Sequence, residues 1–176
     1  GLVNGTGDGT FSPSASVTYG ELDTILLRML GYTSAEVGTV WPLDYTTYCE
    51  ELGLADGLSL DPYSAVTRGE AAVLLYRTLK ANVSGSEQPY YETISGVSST
   101  EEAIVLETEA SYGGSSGLLM VYALEGEGIT YYNQKNVQSD ALEGCLGVLL
   151  FDSSGQVTGF LPEDGGYTDL TVDSAT

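Results

Sequence analysis

Histidine is absent from this chain of 176 residues, which removes imidazole acid–base catalysis and His-ligated metal centres from consideration. Carboxylates are plentiful instead, with 25 Asp and Glu against 5 Lys and Arg and a formal net charge of −20. A pair of them could cleave a glycoside, but no spacing marks any two as a pair, and charged residues mostly form solvated faces. Cys49 reads as a small buried residue, and Cys145 has no histidine to activate it. Their separation fits neither a zinc site nor a dense disulfide framework, and a single long-range bridge between them stays open. Among the cations, Arg68 stands in the pattern Thr67-Arg68-Gly69-Glu70, at the first turn of an expected helix, where it can pair with nearby acidic groups or with a ligand.

Asn4-Gly5-Thr6-Gly7-Asp8-Gly9-Thr10-Phe11 resembles the opening of a calcium loop. Such a loop needs oxygen ligands at positions one, three and five and a bidentate Glu at twelve. Position twelve is Ala15 and Asp8 is the one carboxylate, so no metal and no other cofactor is expected. The acidity makes nucleic acid and anionic membrane surfaces poor partners, because both need basic patches. No apolar run approaches the ~20 residues of a bilayer span. Acidic, Gly-rich (23) and Tyr-rich (13) composition suits an exported protein. Without an initiating Met or signal peptide, the chain reads as a processed product or an excised fragment.

An internal repeat supplies the elements around Arg68. Gly1-Leu2-Val3-Asn4-Gly5 aligns with Gly53-Leu54-Ala55-Asp56-Gly57 at an offset of 52, and Thr18-Tyr19-Gly20-Glu21 with Thr67-Arg68-Gly69-Glu70 at 49. Arg28 and Leu30 then match Arg77 and Leu79 at 49, so the second copy's loop is three residues shorter. Thr18 and Thr67 precede Glu21 and Glu70 by three positions, the capping-box spacing that starts a helix. Leu22, Ile25, Leu26, Met29 and Leu30 follow on one helical face with Gly31 as the C-terminal cap, and Ala71, Leu74, Leu75 and Leu79 repeat the face. A separate helix begins near Pro42 and carries Tyr45, Tyr48, Cys49 and Leu52 on one face before Gly53.

These residues resemble the S-layer-homology family. Gly1 to Pro13 with Val17-Thr18-Tyr19-Gly20-Glu21 looks like the second half of one repeat. Trp41, twelve residues before Gly53, with Gly57, Val66-Thr67-Arg68-Gly69-Glu70 and Leu79 looks like a nearly whole second one. The resemblance covers residues 1–81 and implies non-covalent anchoring, without catalysis, to a pyruvylated secondary cell-wall polysaccharide at the bacterial surface. The family's repeats form a bundle whose grooves hold the glycan. Carried over, Arg68 in its motif with Thr67 would pair with the pyruvyl carboxylate, with Trp41, Gly53 and Gly57 as supporting walls. Tyr19 occupies the arginine position in the first copy, the second loop lacks the Gly-Asp-Gly-Thr-Phe segment, and no third repeat follows.

Residues 82–89, Asn-Val-Ser-Gly-Ser-Glu-Gln-Pro, read as a linker to a small β-rich domain over 90–176. Candidate strands are 103–109, 118–124, 129–132, 146–151, 156–161 and 167–172, with the clearest hairpin at 151–157. Six short strands with Gly144, Gly147 and Gly159 beside or within them favour a β-barrel or β-sandwich over a flat sheet. The expected class is thus multi-domain, α followed by all-β. Residues 1–81 carry 10 acids against 4 bases, and residues 82–176 carry 15 against 1. Tyr131-Tyr132-Asn133-Gln134 reads as strand packing, with a glycan-stacking or subunit-contact patch as the alternative. Three functions follow: a wall anchor; a structural subunit polymerising into a surface layer or filament, as a homo-oligomer whose incomplete bundle a neighbour covers; and a fragment of a carbohydrate-active enzyme whose catalytic domain lies elsewhere.

Overall fold

A computed structural model describes residue 2, residues 14–58 and residues 61–167, the side chains of 164–167 excepted. The chain divides into two compact units, Gly1–Tyr91 and Glu92–Thr176.

The first unit is helical, with α1 (Tyr19–Met29), α2 (Ser34–Val37), α3 (Leu43–Glu51) and α4 (Arg68–Lys80). Both expected capping boxes form. Thr18 N–H donates to Glu21 Oε2 at 2.9 Å and Thr67 N–H to Glu70 Oε2 at 2.9 Å, while each threonine hydroxyl accepts from its glutamate's N–H. A third glutamate, Glu36, accepts from Thr33 N–H in the same way before α2. α1 and α3 end alike. Gly31 and Gly53 take left-handed backbone, φ +87° and +73°, so that Tyr32 N–H reaches Leu27 O and Leu54 N–H reaches Cys49 O.

The core gathers Leu22, Leu26, Leu27 and Leu30 of α1 against Cys49 of α3, Leu54 and Leu74. α1 is covered over a broad face that includes Leu27, outside the expected stripe, whereas α4 buries Leu74 and Thr78 alone. Leu75, placed on the core face by periodicity, is 41% exposed and Leu52 is 36% exposed. A helix buries only as much of its apolar stripe as its neighbours cover, and among the described residues α3 packs on α1 far more extensively than either packs on α4. The loops before α1 and α4 run antiparallel, with Thr18 bridging Ala65, Val66 N–H on Val17 O and Tyr19 N–H on Ser64 O. Residues 82–89 are folded rather than extended: Asn82 bridges Pro89, Val83 N–H donates to Gln88 O, and Ser84 N–H donates to Leu30 O.

The second unit is a five-stranded antiparallel sheet of order β3-β2-β1-β4-β5, from β1 (Ser99–Tyr112), β2 (Ser115–Ala123), β3 (Gly128–Asn133), β4 (Cys145–Phe151) and β5 (Val157–Tyr167). This corrects the expectation of a barrel or sandwich. The two outer strands, β3 and β5, are not paired along their length; Gln134, just beyond β3, makes one parallel bridge to Val157 at the start of β5. The inner face needs no second sheet. Ala103, Val105, Leu119, Val121, Leu149 and Phe151 are closed over by Val137 and by Leu142 from the β3–β4 connection. The hairpin at 151–157 forms as expected, with Gly155 at φ +76° and Asp152 N–H on Gln156 O. The expected strand 167–172 begins with the last residue of β5, and the rest of it lies outside the described residues. A Cβ on Gly147 would collide with Leu161 O and lie 2.7 Å from Pro162 Cα, so this glycine lets β5 approach β4. Cys49 and Cys145 are both free and buried.

Candidate functional site

Arg68 is the first residue of α4, immediately after the Thr67 cap, and it is exposed. Among the described residues it makes no hydrogen bond and no ion pair, although the chain carries 25 acids. A cation here gains nothing from the helix, whose N-terminal end favours negative charge. Thr67 is occupied by its capping box, so it orients α4 rather than offering its hydroxyl outward.

The matching residue of the first copy has taken a different role. Tyr19 is 4% exposed, and its hydroxyl donates to Glu70, the capping glutamate of the second copy. Burial, reinforced by that carboxylate, pushes the phenol up to about 12. Glu70 is held below the usual carboxylate range by the Thr67 hydroxyl and then by Tyr19. Where the second copy presents a free guanidinium, the first is sealed by a tyrosine.

The motif glycines show the same asymmetry. A Cβ on Gly20 would collide with Pro42 Cβ and come within 3.1 Å of Pro62 O, because the Trp41–Pro42 segment lies on the start of α1. A Cβ on Gly69 would meet nothing within 4 Å. Further along, Asp23 and Thr24 of α1 are buried while their counterparts Ala72 and Val73 on α4 are exposed. The face of α4 running from Arg68 past Gly69 to Val73 is therefore open where that of α1 is covered.

The remaining expected residues lie elsewhere. Trp41 is 55% exposed, and its indole N–H donates to Thr24 Oγ1 at 3.0 Å, which holds the ring against α1. Gly53 ends α3, and Gly57 sits in the following turn at φ +73°. That loop is held by Arg77, whose guanidinium donates to Leu54 O at 3.0 Å and Asp56 O at 2.7 Å. Arg77 is nine residues beyond Arg68, about 13 Å along the helix axis at 1.5 Å per residue. No described contact joins any of Arg68, Trp41, Gly53 and Gly57 to another of the four. Arg77 itself was not among the expected site residues, yet the signal was present. Arg28 Nη1 donates to Leu2 O at 2.9 Å, and Arg28 and Leu2 align with Arg77 and Leu54 in the repeat.

No group of His, Cys, Asp and Glu among the described residues could hold a metal ion, and the calcium-like segment from Asn4 lies largely outside them. No helix among the described residues is long and apolar enough to cross a membrane.

Residues 1–22 match the family model of the S-layer homology domain. A protein of Thermoanaerobacter kivui described as "Cell surface protein" is 32% identical over 114 residues, covering 62% of this chain and 14% of the relative. A "Middle cell wall protein" of Brevibacillus brevis is 34% identical over 82 residues, covering 47% of this chain and 8% of the relative. The chain thus spans a small fraction of the length of the relatives it matches. No solved structure matches.

The S-layer-homology sequence and the relatives together place the chain among proteins of the bacterial cell surface, outside the cell.

Proposed function

We propose that the helical unit is a non-catalytic anchor that binds secondary cell-wall polysaccharide, with the Arg68 guanidinium donating to the carboxylate of a pyruvylated sugar. The observation that carries this reading is the unpaired, exposed Arg68 beside an open Gly69. A planar guanidinium matches a carboxylate bidentately, and the α4 N-terminus adds a field that favours an anion. Trp41 and the Gly53–Gly57 loop would take part only through an elongated glycan, since no described contact joins them to Arg68. Co-sedimentation with purified sacculi, before and after chemical removal of pyruvyl groups, tests it. Wild type is expected to bind intact walls, and Arg68→Ala and depyruvylated walls are each expected to lose that binding. Equal binding by wild type and Arg68→Ala, or no binding by either, overturns it.

A second reading makes the chain a structural subunit of a surface layer or filament. It is favoured by the exposure of Ala72 and Leu75 (41%) three residues apart on α4, at positions matching buried Asp23 and Leu26 of α1, a face that a neighbouring subunit would cover.

A further inference from the structure

Strands at the edge of a sheet expose unpaired N–H and C=O groups, and proteins usually blunt them with charge, proline or bulges. β5 has all three: register shifts against β4, Pro162 without an N–H, and exposed Glu163. β3 has none. It pairs with β2 through six consecutive partners, Leu118–Asn133 to Ala123–Gly128, without a shift. Its sequence Gly-Ile-Thr-Tyr-Tyr-Asn has no charged residue and no proline, within a chain of net charge −20. Among the described residues no strand pairs with its other edge, apart from the bridge just beyond it at Gln134.

Odd-numbered residues of β3 face away from the inner core. Ile129 there is 61% exposed, and Tyr131 stacks on Tyr112 at 4.4 Å and 11°, with Tyr112 63% exposed. Even-numbered Tyr132 packs inward on Phe151 and donates to Glu101 Oε2 at 2.7 Å, which fixes the strand's orientation from behind. An uncharged, β-branched and aromatic edge of this kind is a template for another strand.

We propose that the free edge of β3 pairs antiparallel with β3 of a second copy of this chain, about a twofold axis at Thr130, joining two five-stranded sheets into one. Charge selects the occupant. Of the two outer strands, β5 carries Glu163 and Asp164, whereas β3 on β3 sets no like charges opposite each other within the strand. The twofold places Ile129 of each copy opposite Tyr131 of the other, two aromatic–β-branched cross-strand pairs on the exposed face. With −20 on each copy, the contact forms against long-range repulsion, so added salt strengthens it. This surface is on the β unit and does not depend on wall anchoring by α4.

Sedimentation velocity of the full chain over a concentration series, at low and at high salt, tests the contact. The expected result is a monomer–dimer equilibrium that tightens with salt, is weakened about tenfold or more by Ile129→Glu, and is kept by Ile129→Val. Amide hydrogen exchange is expected to show new protection within residues 128–132 on association. A monomer at all concentrations and salts, a dimer insensitive to Ile129→Glu, or protection gained elsewhere overturns the proposal. If Ile129→Glu loses its sheet signal by circular dichroism, exchange in the wild-type chain decides alone.

Discussion

Asp23 of α1 is fully buried, and neither carboxylate oxygen has a hydrogen-bond partner among the described residues. Burial pushes its pKa up to about 6, against the opposing influence of the nearby Thr46 hydroxyl and Cys49 thiol, from 3.8 in the unfolded chain. A carboxyl whose folded pKa is raised binds its proton more tightly when folded, so it costs nothing below about pH 3.8 and its cost grows until about pH 6. Two pKa units correspond to about 3 kcal/mol above pH 6, and to about half that at pH 5. Asp23→Asn removes the ionisation while keeping the shape. The variant is expected to match wild type near pH 3 and to exceed it by about 3 kcal/mol at pH 7, a rise of roughly 1–3 M in the urea midpoint. Urea unfolding followed by Trp41 fluorescence is the assay, because this sole tryptophan is bonded to Thr24 beside Asp23 and reports on the helical unit. Glu36, Asp61 and Glu70 are held below the usual carboxylate range, so their acid sensitivity is common to both proteins and cancels in the difference. A difference that does not change between pH 3 and pH 7, or an asparagine variant less stable at pH 7, refutes the reasoning.

Three further substitutions probe the framework of the same unit by denaturant unfolding. Leu74→Ala is expected to cost about 2–5 kcal/mol, while Leu75→Ala, one position on and 41% exposed, is expected to cost under about 1 kcal/mol. Equal losses would place both side chains in the core. Arg77→Ala removes two charged donors from the Leu54 and Asp56 carbonyls and is expected to lower stability by about 2–4 kcal/mol, with the largest gain in amide exchange around residues 53–58.

Local grammar was legible in the sequence. The capping pairs Thr18–Glu21 and Thr67–Glu70, the helix-ending Gly31 and Gly53 and the turn around Gly155 are each determined by a few adjacent residues, and each formed as expected. What depends on distant partners was not. Leu75 has the period of a core residue, but whether it is buried depends on a helix that must lie against α4. Closure of the sheet depends on whether β3 and β5 meet in register, which no short window records. The site divides the same way. Arg68 was visible in its motif and is exposed and unpaired, whereas the burial of Tyr19 on Glu70 and the unpartnered Asp23 arise from contacts across the repeat. The segment 82–89 has the composition of a linker, yet Ser84 ties it to Leu30 and Glu36.

The two arginine clamps, Arg28 on Leu2 O and Arg77 on Leu54 O, bind backbone carbonyls rather than side chains. Such a contact survives replacement of almost any residue in the loop, since every residue carries the same carbonyl. Downstream, the threonine cap fixes the other end of the connection. Between these two anchors the first copy is three residues longer than the second. The connection is thus the stretch of each repeat where length and wording can drift while the helices stay in register, and it is the natural place to graft a foreign peptide into this unit.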